Sequence, residues 1–153
     1  MRRAFLASIG VVAALAVACL ETNPDQSYLA PLDENPPRVV RVEPTPDGGT
    51  PVLSAGEAIK VTFSELMDVR SLRPGIAFIG KGVEQRLVIT VPPPEREQVQ
   101  DKDFEYTVTV QPVAEDGMSP VPSGVYSLLL RTLLTDVQGN ALPSERRVVF
   151  DVR

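Results

Sequence analysis

The 153-residue chain predicts an all-β fold, an antiparallel sandwich of about seven short strands. Three observations carry this. Apolar residues recur at every second position in short runs between residues 38 and 152, the period of a half-buried strand. Pro- and Gly-rich stretches separate the runs, as turns do. The 15 prolines disfavour a helical bundle, because Pro lacks a backbone donor and breaks helix interiors.

The segments follow in order. Residues 38–43 (RVVRVE) are apolar at Val40 and Val42. In 58–64 (AIKVTFS), Ile59, Val61 and Phe63 share one face and Lys60, Thr62 and Ser64 the other. A helical turn is expected at 65–73, after Ser64 as its N-cap. Residues 75–80 (GIAFIG) are bounded by Gly. In 86–91, Leu87, Ile89 and Val91 share a face, and the run stops at Pro92-Pro93-Pro94, which cannot donate to a ladder. Residues 104–111 set Phe104, Tyr106, Val108 and Val110 against Glu105, Thr107, Thr109 and Gln111. Residues 124–134 place Tyr126, Leu128 and Leu130 on one parity, and 146–152 turn Val148, Phe150 and Val152 inward. Edge strands carrying Lys60, Arg86 or Arg147 are discouraged from open-ended pairing. The folded part, 37–153, has 117 residues, close to the ~100 of an immunoglobulin-like sandwich.

Composition excludes several functions. There is no His, no Trp and one Cys, so a His-based triad, a His-ligated metal and a disulfide are ruled out. Net charge is −5. It falls to −7 once Arg2 and Arg3 leave with the leader, 13 basic residues against 20 acidic. That sign opposes nucleic acid and anionic headgroups as partners.

Arg2 and Arg3 precede an uncharged run, Ala4 to Ala18, shorter than the ~20 apolar residues of a spanning helix and suited to a signal peptide. It ends Leu15-Ala16-Val17-Ala18-Cys19, which resembles the lipobox of bacterial lipoproteins. The resemblance implies cleavage between Ala18 and Cys19, a diacylglyceryl group on the Cys19 thiol and an acyl chain on the new amine. Together these hold a protein at a bilayer, where one chain alone anchors only marginally. The alternative is that Cys19 is an ordinary leader residue and the general peptidase cuts at Ala18 or later. Arg2-Arg3-Ala4-Phe5-Leu6 also resembles the core of a twin-arginine signal, but the flanking Ser/Thr and Lys are missing. Leu20 after the Cys favours outer-membrane placement in an organism with an outer membrane. Residues 19–36, with four acids, no base and three Pro up to residue 36, form a solvated acidic tether.

Three stretches of the folded part resemble the bacterial Ig-like domain of S-layer proteins. Val42-Glu43-Pro44-Thr45-Pro46-Asp47-Gly48-Gly49 is similar to its opening strand and turn. Ile59 to Asp68 (IKVTFSELMD) is similar to its I-x-V-x-F-S-E-x-M-D signature. Asp136-Val137-Gln138-Gly139-Asn140-Ala141-Leu142 is similar to its closing D-x-x-G-N-x-L turn. The residues explain themselves structurally. Ser64 and Asp68 can bond backbone N–H groups, Met67 can fill a core gap, and Asp136, Gly139 and Asn140 can tie a turn. Tyr126, after Pro122-Ser123-Gly124, is either a tyrosine corner, its hydroxyl bonded back to the preceding loop, or a plain core aromatic.

These residues point to a non-catalytic interaction, adhesion or spacer module, lipid-anchored in the cell envelope. Its membrane contact would be the Cys19 lipid, and its protein partner is undefined. The contact region would be 112–124 (PVAEDGMSPVPSG), which is otherwise a Pro-rich connection. Calcium could find oxygens at Asp47, Asp68, Asp136 and Asn140, but such residues in loops are usually turn-formers, and no cofactor is expected. Asp101/Asp103 and Glu115/Asp116 are paired carboxylates, yet they read as solvated loop. The rival is a carbohydrate-binding surface module, which the absence of Trp and the inward parity of most Phe and Tyr disfavour.

Overall fold

In the computed structural model the alternating segments become strands, and the face that the sequence makes apolar is the face that is buried. The structure describes residues 35–45, 49–92 and 105–153, all within the unit Asp33–Arg153. The expectations for the leader, Ala18, Cys19 and the tether up to residue 34 lie outside these residues. So do those for Asp47, Asp101, Asp103 and Phe104.

Nine strands occur among the described residues, seven of them five residues or longer. They are β1 (Val39–Glu43), β2 (Val52–Leu53), β3 (Ile59–Phe63), β4 (Ile76–Gly80), β5 (Val83–Glu84), β6 (Arg86–Thr90), β7 (Tyr106–Val113), β8 (Gly124–Leu130) and β9 (Arg146–Val152). One short helix, α1 (Val69–Gly75), precedes β4. The strands form two sheets, in the orders β1-β3-β7-β6 and β2-β9-β8-β4-β5. The seven longer strands reproduce the ABED and CFG division of an immunoglobulin-like sandwich.

The core lies between the sheets. Ile59, Val61, Phe63, Tyr106, Val108 and Val110 meet Phe78, Leu128, Leu130, Phe150 and Val152, all buried. Burying one such side chain contributes roughly 1.5–3 kcal/mol. The Tyr126 ring stacks on Phe78, centroids 4.9 Å apart and planes 5° from parallel. The ring lies across Gly80, where an added Cβ would stand 2.2 Å from a ring carbon. Gly80 is therefore required for the stack.

The structure corrects the expectations at several points. Pairing is not wholly antiparallel: β2 runs parallel to β9, with Val52 opposite Asp151 and Leu53 opposite Val152. The chain crosses from one sheet to the other between β1 and β2, with Pro44 and Pro51 on either side of the crossover. The helix begins at Val69, not after Ser64. Ser64 Oγ instead accepts the Arg38 N–H at 3.0 Å, and Asp68 caps α1 by accepting the Arg70 N–H at 2.9 Å. Strand β8 ends at Leu130 rather than running to residue 134, because the Leu134 N–H turns back to the Arg131 carbonyl at 3.1 Å. Strand β7 runs through Pro112 to Val113, so the following loop starts two residues later than expected. Of the three basic residues assigned to edges, Lys60 lies on β3, between β1 and β7. Thr62, on the outer parity, is nevertheless buried, its hydroxyl 3.0 Å from that of Thr107.

Candidate functional site

The motif residues converge at one end of the sandwich, although about 70 residues separate them in sequence. Asp136 is 2% exposed. Its Oδ1 accepts the backbone N–H groups of Gln138 and Asn140, each at 2.8 Å. Its Oδ2 accepts the Asn140 side-chain amide at 2.8 Å. Gly139 adopts φ +94°, a conformation that favours glycine. This turn docks on the segment before α1: the Asp68 N–H donates to the Thr135 carbonyl at 2.9 Å and the Val137 N–H to the Leu66 carbonyl at 3.2 Å. Ser71 joins the two, its hydroxyl 2.7 Å from the Asp68 carbonyl while accepting the Thr135 N–H at 3.1 Å. Met67, 1% exposed, packs in the core between them. Asp136, Gly139 and Asn140 thus knot the fold, and their polar groups point inward to the chain.

Asp68 faces outward but is engaged. Arg70 binds its carboxylate by side chain and backbone, which holds the Asp68 carboxyl below its usual range.

The second arrangement is the loop between β7 and β8. Tyr126 is a tyrosine corner: its hydroxyl donates to the Pro122 carbonyl at 2.8 Å, and burial raises its pKa. Upstream, the Ala114 N–H donates to the Ser119 carbonyl at 2.8 Å, closing a tight loop. Asp116 fills it. Its Oδ1 accepts the N–H groups of Met118 and Ser119 at 2.9 and 2.8 Å, and its Oδ2 accepts the Ser119 hydroxyl. The Ser119 hydroxyl and these amides lower the Asp116 pKa to about 2. Arg86 fastens the loop to β6 by donating to the Glu115 carbonyl at 3.0 Å. At the tip, Met118 is 90% exposed. The expected Glu115/Asp116 pair is therefore divided: Asp116 organises its own loop, and Glu115 contributes its carbonyl to Arg86.

The two sites stand apart, and Tyr126 belongs to the second rather than to the knot. Sequence reasoning marked 112–124 but missed Asp116 as its organiser. The available signal was Asp116-Gly117-Met118-Ser119, an Asp with a Ser three positions on and Gly between, the pattern of an Asx turn. No protein-family model and no curated protein sequence matches the chain.

Proposed function

We propose that the chain is a lipid-anchored protein of a bacterial cell envelope, and that its single S-layer-type Ig-like domain serves as a non-catalytic interaction, adhesion or spacer module. The anchor rests on Cys19, the one Cys of the chain, placed where a lipobox needs it. The interaction role is carried by one observation: Met118, an apolar side chain 90% exposed, sits on a loop whose backbone Asp116 already fixes. A preorganised apolar contact costs little ordering entropy on binding. The engaged oxygens of Asp68, Asp116 and Asp136 support a structural use of these carboxylates over acid–base chemistry. Protein contact is favoured over sugar stacking, because the five aromatics among the described residues, Phe63, Phe78, Tyr106, Tyr126 and Phe150, are all buried.

Metabolic labelling with a clickable palmitate tests the anchor. Wild-type chain takes up the label and Cys19→Ser does not; equal labelling of the two removes the anchored reading.

A further inference from the structure

The outer faces of the two sheets differ. An antiparallel sheet with one face in water carries polar residues on that face. The middle strands of the first sheet obey: β3 and β7 place Lys60, Thr62, Thr107, Thr109 and Gln111 on the outward parity. In the second sheet the outward residues of the middle strands are Val125, Ser127 and Leu129 on β8, and Ala77 and Ile79 on β4. Neither of these strands contains a charged residue.

The apolar outward residues are contiguous. Ile79 lies opposite Ser127 across the β4–β8 pair, and Val149 of β9 lies opposite Ser127 on the other side. Leu129 and Val125 flank Ser127 along β8. Val125 is 65% exposed, and Val149, Ile79 and Leu129 also keep part of their surface in water. Apolar surface gathered in one place marks a contact site, whereas scattered single residues do not. Strands β8 and β4 lie inside the sheet, with β2 and β9 between them and the crossover from β1.

One charge reaches into this face. Arg147 stands diagonal to Ser127 across the β8–β9 pair, and its Nε and Nη2 donate to the Ser127 hydroxyl at 3.1 and 3.0 Å. The guanidinium meets no carboxylate among the described residues. The carboxylates of the same face are occupied. Glu84, opposite Ile79, holds Arg131 at 3.0 Å, and Asp151, opposite Val125, holds Arg153 at 2.7 Å. Arg147 therefore brings a positive charge to apolar surface with only a hydroxyl to meet it.

We propose that the outer face of β9, β8 and β4 is a second contact surface, and that it takes an apolar face of a partner protein carrying a carboxylate over Arg147. Val125, Leu129, Ile79 and Val149 supply the apolar area. The partner's carboxylate takes the guanidinium in a charge-assisted pair, which fixes orientation and selects against apolar faces that lack it. A second copy of this face is the poorer occupant: its own carboxylates are already held by arginines, and it would bring a second Arg147. The inference goes beyond the Met118 contact and stands without it, since none of these residues belongs to the loop 114–119.

The test places a photo-crosslinking amino acid at position 125 in the full chain expressed in its native cells, with position 109 on the other sheet's outer face as control, and identifies the joined peptides by mass spectrometry. Adducts from 125 to a segment of another protein that contains Asp or Glu are expected, with few or none from 109. Arg147→Gln keeps a donor for the Ser127 hydroxyl but removes the charge, and should lower the yield at 125 about tenfold. Should that variant fail to fold, replacing the acidic residues of the joined partner segment by their amides tests the same pair from the other side, with the same expected loss. Absence of protein adducts at 125, equal yields at 125 and 109, or adducts only to lipid would overturn the proposal. So would adducts only to a second copy of this chain, or a yield unchanged both by Arg147→Gln and by the amide substitutions.

Discussion

The turn Asp136–Asn140 and the loop Ala114–Ser119 are built by the same device, an aspartate whose carboxylate gathers the amides that follow it. They end in opposite states. Asp136 is 2% exposed and its turn is bonded to the segment before α1. Asp116 bonds only within its own loop, and the residue it presents, Met118, is 90% exposed. The difference lies in what surrounds the carboxylate. A turn packed against a second segment becomes part of the fold's stability, whereas a turn that satisfies itself leaves its tip free to touch something else.

Substitutions should separate the two. Asp136→Ala leaves the Gln138 and Asn140 backbone amides and the Asn140 side chain without their acceptor. It should cost about 3 kcal/mol or more and lower Tm by roughly 10–20 °C in a thermal melt; a melt like that of wild type would dissolve the contrast. Gly80→Ala pushes a methyl into the Tyr126 ring and should cost about 1–3 kcal/mol, read by denaturant titration. Tyr126→Phe removes the bond to Pro122 while keeping the stack, and should cost about 1 kcal/mol in the same titration. Asp116→Ala should barely move the melt and should speed amide hydrogen exchange at Met118 and Ser119.

The pH dependence sharpens the same contrast. The folded Asp116 carboxyl is lowered to about 2 from an unfolded value near ~3.9. Its bonding is therefore complete above pH ~4 and is lost as pH falls through about 2. The Met118 and Ser119 amide resonances should hold steady from neutral pH to ~4 and shift only below that.

The strands were legible because a sheet with one buried face writes its period into the chain. Ile59, Val61 and Phe63, then Tyr106, Val108 and Val110, show it plainly. The inward parity of Tyr126 was legible for the same reason, but it left a corner and a plain core aromatic equally open until the hydroxyl's bond to the Pro122 carbonyl decided between them. The missed features are set by partners distant in sequence or by turns with unusual residues. Strand β2 has two residues and exists only because β9 lies beside it. The β4–β5 hairpin turns on Lys81 and Gly82, both at positive φ, and Lys is not a residue that announces such a turn. The start of α1 depends on Thr135 and Val137, which hold residues 66–68 before a helix can begin there. At the candidate site, the knot residues were visible as turn-formers, but their meeting with Ser71 and Met67 required the fold. The loop 114–119 was visible as a loop, and its shape waited on which carbonyls and amides Asp116 and Ser119 would reach.

On the function proposed above, the knot holds the fold and the Met118 loop makes the contact. Val137 is the natural control, since it is 57% exposed and lies on the knot. A photo-crosslinking amino acid placed at 118 or at 137, in the full chain expressed in its native cells, compares the two directly. Covalent protein adducts are expected from position 118 and none from position 137; adducts of equal yield at both, or at 137 alone, would refute this division of roles.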